Sequence, residues 1–385
     1  MAATENFPLR AESRRHWLKT GGAAFFGSAL AAGARESGDE EAELTDPSPE
    51  SPVRMMYNEN PVHSSKVRAA MTAAFEEANS YSYFRAVGEL KEILAELNGV
   101  TPAHIVVGAG STEVLRVTAL HLMQKLPVHQ RRIAAVSPGY EGMNRYAENL
   151  GAKITRVPVQ PNFSPNLDGL AAAVEDGAAI LNLCNPNNPT GVIVPEKTLT
   201  PFCRKMAAKT FVFVDEAYHE FVTNPEYGSM LPLAKEGLPV MVTRTFSKMF
   251  GLAGTRIGYG IGSPDLVSEL EAVQTGTINI IAIRAAMAAL KDEDFQRRSL
   301  ESNEEAKAIL FKELAAMGRQ VTKGEGNFVF FHTGMPIQEF EKKMFAKGFW
   351  VGRPFPPYLD WCRLSMSTPM RMKQFCAALG EVLAK

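Results

Sequence analysis

The chain has little excess charge, few cysteines and no long apolar run, and each absence excludes a class of protein. Its formal net charge is -1, with 41 basic and 42 acidic residues, which does not favour a polyanionic partner such as nucleic acid. Its 4 cysteines show neither CxxC nor metal-ligand spacing and its 7 histidines are scattered, so we expect no metal site. No apolar run is long enough to cross a bilayer stably, and we expect no membrane anchor.

The remaining composition is that of an ordinary globular protein. Apolar residues make up 45% of the chain, and the 30 glycines and 24 prolines are near average numbers. The length of 385 residues allows two domains, or one large domain with a smaller companion. The sequence contains no internal repeat and no low-complexity tract. Evidence for function must therefore come from individual motifs and from the alternation of secondary structure.

The first 34 residues have the layout of a secretory signal. A basic region with Arg14, Arg15 and Lys19 precedes a mildly apolar run at residues 20–33, which ends in small residues. The paired arginines resemble a twin-arginine signal, which implies export to the periplasm by the twin-arginine (Tat) machinery. The alternative is an N-terminal amphipathic helix or an unfolded tail. No cysteine lies near the expected cleavage site, so a lipid anchor is not indicated.

The segment after the signal is acidic and contains several prolines. Because residues 35–53 offer few apolar groups to offset the entropy of ordering, we expect a flexible linker there. The fold should begin near Val53 or Arg54. We expect an N-terminal arm at 54–80, a large domain at 81–290 and a smaller domain at 291–385.

Helical and strand-like patterns alternate after the arm. Strand-like runs occur at 104–107, 133–137, 153–157, 179–183, 210–214, 240–243 and 258–261. Strands that alternate with helices predict an α/β fold with a mostly parallel sheet covered by helices on both faces. A continuous helical stretch at 264–290 should lead out of the sheet. The segments that follow it predict a smaller α+β domain.

Two of the segments that follow strands suit an anion and a flat ring, at the edge where open α/β sheets bind ligands. Gly108-Ala-Gly-Ser-Thr112 opens a helix, whose free N–H groups and dipole favour an anion such as phosphate. Tyr140 follows the next strand and could stack on a flat cofactor ring. Each feature alone is also explained by an ordinary turn or a core tyrosine.

Two further segments carry polar side chains that a structural turn does not need. Asn185-Pro-Asn-Asn-Pro-Thr-Gly191 presents three amides from a backbone made rigid by proline. Asp215 ends a buried strand, where a lone charge is costly and needs a partner. A protonated ring nitrogen would be a suitable partner.

Lys248 lies in the run Arg244-Thr-Phe-Ser-Lys-Met-Phe-Gly-Leu-Ala-Gly-Thr-Arg-Ile-Gly258, among hydroxyl and apolar residues. Burial in such surroundings lowers the pKa of a lysine. A neutral amine of this kind can form a Schiff base with an aldehyde cofactor. Arg256 and the hydroxyl of Ser247 would suit the phosphate of such a cofactor. A solvated lysine at the end of a strand is the alternative when this run is considered alone.

Three of these motifs, in this order, resemble the fold-type-I pyridoxal-phosphate aminotransferases of class I/II. They are Asn185-Pro-Asn-Asn-Pro-Thr-Gly191, Asp215-Glu-Ala-Tyr218 and Ser247-Lys-Met-Phe-Gly-Leu-Ala-Gly-Thr-Arg256. Shorter segments are similar to the histidinol-phosphate aminotransferase branch, namely Asn58-Glu-Asn-Pro61, Asn79-Ser-Tyr81, Pro138-Gly-Tyr140 and Cys362-Arg-Leu-Ser365. The resemblance covers residues 54–385. It implies transfer of an amino group between an amino acid, or a related amine such as histidinol phosphate, and a 2-oxo acid.

The resemblance also implies catalytic and substrate-binding roles. Lys248 should hold the aldehyde of pyridoxal 5'-phosphate and, once free, act as the general base. Asp215 should pair with the ring nitrogen. Tyr218 and Asn188 should hydrogen-bond the phenolate oxygen of the ring. Arg363 should bind the substrate carboxylate through a bidentate pair, next to Asn188.

The remaining implied residues hold the cofactor. Tyr140 should stack on the ring, and the phosphate should be held by Ser111, Thr112, Ser247 and Arg256. Tyr81 should reach the phosphate of a neighbouring subunit, which implies a homodimer with shared active sites.

Two segments depart from the pattern of the branch, residues 44–50 and Arg353-Pro-Phe-Pro-Pro-Tyr358. Both lie where the family recognises the substrate side chain, so the substrate is left open, with Arg353 as a further candidate ligand. The same lysine, aspartate and arginine could serve a decarboxylase, lyase, racemase or oxidase. A cofactor-binding sensor without activity is the alternative outside enzymes.

Overall fold

The structure, a computed structural model, describes residues 46–383. The expected twin-arginine signal and the expected linker up to residue 45 lie outside the described part. The strands are β1 (Val53–Arg54), β2 (Ile105–Gly108), β3 (Arg132–Ser137), β4 (Lys153–Pro158), β5 (Ile180–Cys184), β6 (Phe211–Asp215), β7 (Val240–Thr245), β8 (Gly258–Ile261), β9 (Phe328–His332), β10 (Phe349–Trp350) and β11 (Trp361–Ser365). The α-helices are α1 (Ser65–Ala73), α2 (Tyr83–Asn98), α3 (Ser111–Gln124), α4 (Gly142–Asn149), α5 (Leu167–Glu175), α6 (Glu196–Ala207), α7 (Leu231–Lys235), α8 (Pro264–Val273), α9 (Ile280–Leu290), α10 (Glu293–Ala316), α11 (Ile337–Ala346) and α12 (Pro369–Leu383).

The main sheet has seven strands in the order β2-β8-β7-β6-β5-β3-β4. The neighbours from β7 to β4 pair in parallel, and β8 runs antiparallel to both β7 and β2. The prediction of a mostly parallel sheet is therefore confirmed. Parallel strands bring their carboxyl ends to one edge, which is where the motif residues after β5, β6 and β7 meet.

Helices cover both faces of this sheet, as predicted. Because side chains alternate along a strand, Phe213 of β6 packs toward the core that includes α3, α4 and α8. Val212 and Val214 of the same strand pack toward the core that includes α5, α6 and α7. All five residues of β5 are buried, as in a strand covered on both sides.

The expected continuous helix at 264–290 is wrong, because the structure ends α8 at Val273 and starts α9 at Ile280. The intervening backbone is fastened to the sheet edge, since Gln274 donates to the carbonyl of Val107 at 3.0 Å. Asn279 caps α9 by accepting from the N–H of Ala282 at 2.7 Å. Apolar periodicity continues through this segment, but local polar contacts interrupt the helix.

The C-terminal elements build a second core around a two-stranded antiparallel sheet of β9 and β11. Helices α10, α11 and α12 supply its other apolar residues. The start of the fold contributes too, because β1 pairs in parallel with β10 and Met55 is fully buried in this core. Contacts join the described residues from Pro47 to Leu383 into one compact unit.

The expected linker at 35–53 does not extend to its predicted end. Ser48 and Ser51 form a bridge, and Val53 donates its N–H to the carbonyl of Gly348 at 2.8 Å. This proline-containing segment is held in place because it pairs with a strand that is distant in sequence. The local composition could not indicate that pairing. Within residues 46–383 no helix is long and apolar enough to cross a membrane.

Candidate active site

A cavity of about 270 Å³ opens at the carboxyl edge of the sheet, between the sheet and the C-terminal elements. Predicted site residues line most of it. These are Ser111, Tyr140, Asn188, Asp215, Tyr218, Lys248, Arg353 and Arg363. They come from segments spread over the chain, and the fold brings them together in one place.

Lys248 is positioned by a tight turn that follows β7. Phe246 and Phe250 are buried on either side of it and fix the turn in the core. The Nζ atom donates a hydrogen bond to the carbonyl oxygen of Tyr57 at 2.8 Å. Burial, followed by the positive charge of Arg363, lowers the pKa of Lys248 from 10.5 to about 7. The amine is therefore available in its neutral, nucleophilic form near neutral pH.

Asp215 ends β6 and faces the same cavity. Its side chain is 4% exposed, and it accepts a hydrogen bond from the hydroxyl of Thr243 at 3.1 Å. Burial raises its pKa from 3.8 to about 6. No residue of the described chain forms an ion pair with this carboxylate. A buried carboxylate in this position fits a cationic ligand group.

Tyr218 and Asn188 form a hydrogen-bonded pair above the carboxylate. The Tyr218 hydroxyl accepts from the amide of Asn188 at 3.2 Å and from the amide of Asn58 at 2.9 Å. With its acceptor capacity used in this way, the hydroxyl proton is free to donate toward the cavity. Burial raises the pKa of Tyr218, so this proton is retained at physiological pH.

Arg363 lies on β11 and reaches the cavity from the C-terminal layer. One terminal nitrogen donates to the side-chain oxygen of Asn188 at 2.7 Å, and the other donates to the carbonyl of Met56. The guanidinium lies over the rings of Phe328 and Phe355, at 5.8 and 5.2 Å. Its Nε atom is buried and has no hydrogen-bond partner.

Comparison with known proteins agrees with this arrangement. Residues 53–379 match the family described as aminotransferase class I and II. The chain belongs to this family. It is a pyridoxal-phosphate-dependent aminotransferase.

Several known aminotransferases are similar to it. Histidinol-phosphate aminotransferase of Moorella thermoacetica is 32% identical over 339 residues, which cover 86% of each chain. Histidinol-phosphate aminotransferase 2 of Ralstonia nicotianae is 33% identical over 368 residues, with 91% and 92% covered. A solved structure from Erwinia carotovora atroseptica, assigned as a candidate histidinol-phosphate aminotransferase, has a TM-score of 0.83 at 32% identity, covering 88% of this chain and 98% of that one. The fold is shared with histidinol-phosphate aminotransferase from Sinorhizobium meliloti in complex with pyridoxal-5'-phosphate, at a TM-score of 0.79 and 24% identity, covering 91% and 99%.

The site of this aminotransferase fits pyridoxal phosphate. The unpaired carboxylate of Asp215 suits the ring nitrogen, and the neutral amine of Lys248 suits the aldehyde. At the start of α3 the backbone is kept open by glycine, since a Cβ atom on Gly258 would lie 2.3 Å from the nitrogen of Ser111. That nitrogen and the helix dipole would hold the phosphate.

The other predicted phosphate ligands lie around this helix start. The guanidinium of Arg256 packs against Gly110, where a Cβ atom would come within 2.3 Å of it. Arg256 itself adopts a left-handed conformation, with φ of 59°, and donates to the carbonyl of Ala253 at 2.7 Å. The hydroxyl oxygen of Thr112 lies 3.5 Å from the hydroxyl oxygen of Tyr140.

Like Thr112 and Arg256, two further predicted residues do not line the main cavity. Ser247 lines a neighbouring cavity, and its N–H donates to the hydroxyl of Thr245 at 3.1 Å. Tyr81 is 87% exposed and is not among the residues that line the main cavity. Its expected contact with a second subunit stays a prediction.

The structure also shows site residues that sequence reasoning did not assign. Met56 and Tyr57 line the cavity, and Asn58 holds the Tyr218 hydroxyl. Asn58 is 1% exposed and has a φ of 55°, a conformation that asparagine tolerates better than most residues. In the sequence, only the similarity of Asn58-Glu-Asn-Pro61 to the histidinol-phosphate aminotransferase branch indicates that this segment has a role. Its contact with Tyr218 could not be inferred locally, because the two residues are 160 positions apart.

A buried ion pair supports the Asp215 strand from behind. Glu216 is 1% exposed and accepts from Arg244 at 3.1 Å, while Arg244 also donates to Asn98 at 3.1 Å. Glu216 further accepts from the hydroxyl of Ser229 at 2.7 Å. Every charge in this group has a partner, so it fixes the backbone next to the reacting groups rather than offering a site of its own. Within residues 46–383 no group of side chains could hold a metal ion.

Proposed function

We propose that the enzyme takes α-amino acids as donors and 2-oxo acids as acceptors, and that Arg363 binds their carboxylate. The observation that carries this proposal is the buried Arg363 guanidinium, which forms no ion pair with any described residue. A buried cation is costly unless an anion accompanies it, and an Nε atom without a partner leaves room for a second hydrogen bond. A carboxylate would satisfy both needs at once.

The remaining groups support transfer chemistry at the same place. Pyridoxal phosphate, when bound, supplies an electron sink that makes the α-proton of an amino acid acidic. Lys248, with a pKa of about 7, can accept that proton and return it. Asp215 would stabilise positive charge at the ring nitrogen, and the Tyr218 hydroxyl is directed toward the cavity by its two amide donors. These residues surround one cavity, so a substrate anchored by Arg363 would present its α-carbon to the lysine.

Replacing Arg363 by alanine should weaken carboxylate donors selectively. Removing one partner of a buried charged pair commonly costs about 2–5 kcal/mol, so we expect the apparent donor affinity to fall by roughly 30-fold or more. The measurement is a single-turnover absorbance titration with a panel of α-amino acids and with histidinol phosphate, which has no carboxylate. A spectrum of the resting enzyme serves as the control for cofactor binding.

The outcome separates the alternatives. If the affinity for every carboxylate donor is unchanged, a residue other than Arg363 binds the carboxylate, and Arg353 is the next candidate. Product analysis with and without a 2-oxo acid distinguishes transfer from decarboxylation, elimination, racemisation or oxidation. A preference for histidinol phosphate over all amino acids would assign the substrate that gives the Moorella and Ralstonia relatives their name.

We also propose that the enzyme is a homodimer with shared active sites. Support comes from exposed aromatic side chains on one part of the chain, since Tyr81 is 87%, Phe84 71% and Phe75 64% exposed. The expected result is a dimer in sedimentation velocity, with cofactor retention reduced by roughly 10-fold in Tyr81→Phe, because a charge-assisted hydrogen bond to phosphate is lost. A fully active monomer would contradict the proposal.

We infer that the enzyme is exported with its cofactor already bound. The support is the Arg14-Arg15 pair ahead of a weakly apolar run, in a chain whose activity requires a cofactor. Changing both arginines to lysine preserves the charge, and should leave active enzyme in the cytoplasm. Cell fractionation, with activity and signal cleavage followed in each compartment, measures this. Wild-type export of the lysine form would reject the twin-arginine route.

A further inference from the structure

A small polar cavity, of about 10 Å³, lies behind the active site between α10, the start of β9 and residues 60–62. Two asparagines line it, Asn303 on α10 and Asn327 directly before β9, and they are 5% and 3% exposed. We call it the asparagine cavity. It shares no lining residue with the cofactor cavity. Three serines also line it, namely Ser299, Ser302 and Ser367.

The amide nitrogens of both asparagines already donate to backbone carbonyls. Nδ2 of Asn303 donates to the carbonyl of Gly326 at 3.2 Å. Nδ2 of Asn327 donates to the carbonyls of Asn58 and Glu59 at 3.0 and 3.3 Å. These bonds fix which end of each amide is the oxygen. Both Oδ1 atoms are buried and accept from no residue within 46–383, and a buried acceptor without a donor is costly.

We propose that the asparagine cavity binds one water molecule, which donates one hydrogen to Oδ1 of Asn303 and the other to Oδ1 of Asn327. The volume of the cavity suits a single water and excludes a larger ligand. The oxygen of this water can accept from one of the three serine hydroxyls, which rotate freely to donate. The water would then have three polar partners, the usual number for a buried water.

This water makes Asn303 and Asn327 positioning residues for the reaction. With both ends of its amide bound, Asn327 holds the backbone of residues 58 and 59, where Asn58 has the left-handed φ of 55°. Asn58 in turn donates to the hydroxyl of Tyr218 at 2.9 Å. The chain of contacts therefore links α10 to the hydroxyl that faces the cofactor cavity.

A second contact from the same cavity reaches the lysine turn. Asn60 lines the asparagine cavity, and its Nδ2 atom donates to the hydroxyl of Ser299 at 2.9 Å and to the carbonyl of Met249 at 2.7 Å. Met249 directly follows Lys248. Because Asn60, Asn303 and Asn327 do not line the cofactor cavity, any effect they have on the reaction passes through the residues they hold.

A high-resolution crystal structure of the cofactor-loaded enzyme tests the water site. We expect a density peak at about 2.5–3.0 Å from Oδ1 of both Asn303 and Asn327. Crystals soaked in thallium(I) nitrate distinguish water from a monovalent cation, because thallium gives an anomalous signal and water does not. A site without a peak, while other buried waters are ordered, would reject the proposal. An anomalous peak there would reject water as the ligand.

Asn303→Leu tests the positioning role, because leucine is similar in size and cannot accept a hydrogen bond. We expect kcat to fall by roughly fivefold with little change in KM, as for the loss of one hydrogen bond. The pH at which the absorbance of the bound cofactor changes should rise by about half a unit. A weaker hydrogen bond from Tyr218 leaves more charge on the ring oxygen, which raises its affinity for a proton. Asn303→Asp keeps an acceptor oxygen and should stay near the wild-type pH.

Leu314→Ala is the control for a general loss of stability. Leu314 is fully buried on α10 in the C-terminal core and does not line the asparagine cavity. This variant should lower the urea midpoint of unfolding and leave the pH of the absorbance change as in the wild type. An equal shift in Leu314→Ala, or no shift in Asn303→Leu, would reject the positioning role. If Asn303→Leu does not fold, the same measurements on Asn327→Leu decide the role, and the wild-type crystal decides the water site. None of these outcomes bears on the amino donor, which Arg363→Ala tests.

Discussion

Lys248→Ala is expected to abolish turnover while pyridoxal phosphate still binds without a covalent bond. Among the residues that line the cofactor cavity, Lys248 is the sole amine. Its pKa is lowered to about 7 by burial first and by Arg363 second, so it supplies the neutral nucleophile and the base that transfer requires. Loss of such a group commonly slows catalysis by roughly 10⁴-fold or more. Dialysis should remove the cofactor from the variant more readily than from the wild type.

Borohydride reduction checks this prediction directly. The wild-type protein should retain the cofactor covalently after reduction and denaturation, and Lys248→Ala should not. Lys205→Ala is a suitable control, because Lys205 is an exposed lysine on α6. If the Lys248 variant still yields protein with cofactor attached, another lysine performs the chemistry and the assignment is wrong.

The arrangement of the catalytic residues could be predicted from sequence where they directly follow strands. Asn188 follows β5, Asp215 ends β6 and Lys248 follows β7, and these three strands are consecutive neighbours in the sheet. Parallel strands place their carboxyl ends at one edge of the sheet. Patterns within each short segment were therefore enough to predict that these three side chains lie close together. The resemblance to the aminotransferases then indicated which ligand they share.

The rest of the site depends on packing between distant segments. Asn58 reaches Tyr218 because β1 pairs with β10 and Met55 enters the C-terminal core. No local pattern in residues 53–58 indicates that pairing. The break between α8 and α9 has a similar cause, because the N–H of Gly276 donates to the carboxylate of Glu113 at 3.2 Å. Apolar periodicity alone favoured an unbroken helix there.

Asp215→Asn is expected to lower kcat/KM by about 100-fold or more, because a neutral amide cannot stabilise a protonated ring nitrogen. The same substitution should not destabilise the cofactor-free protein. Burial raises the pKa of Asp215 from 3.8 to about 6, so the folded state favours the protonated form. A raised pKa contributes stability below the unfolded value, and that contribution is lost as the pH rises through about 6.

At pH 7 the charged carboxylate therefore costs the cofactor-free protein about 3 kcal/mol, at about 1.36 kcal/mol for each pKa unit. The amide of the Asp215→Asn variant avoids this cost, and its oxygen can still accept from Thr243. We expect the cofactor-free variant to be at least as stable as the wild type at pH 7, with a flatter dependence of unfolding free energy on pH between about 4 and 6. Urea titration across that range, together with steady-state rates of the loaded enzyme, measures both effects.

The two measurements together decide the role of this carboxylate. A variant that is less stable at every pH would assign Asp215 a structural role, and one within threefold of wild-type activity would remove its catalytic role. If Asp215 holds a cationic ring, the variant should keep its stability and lose its activity.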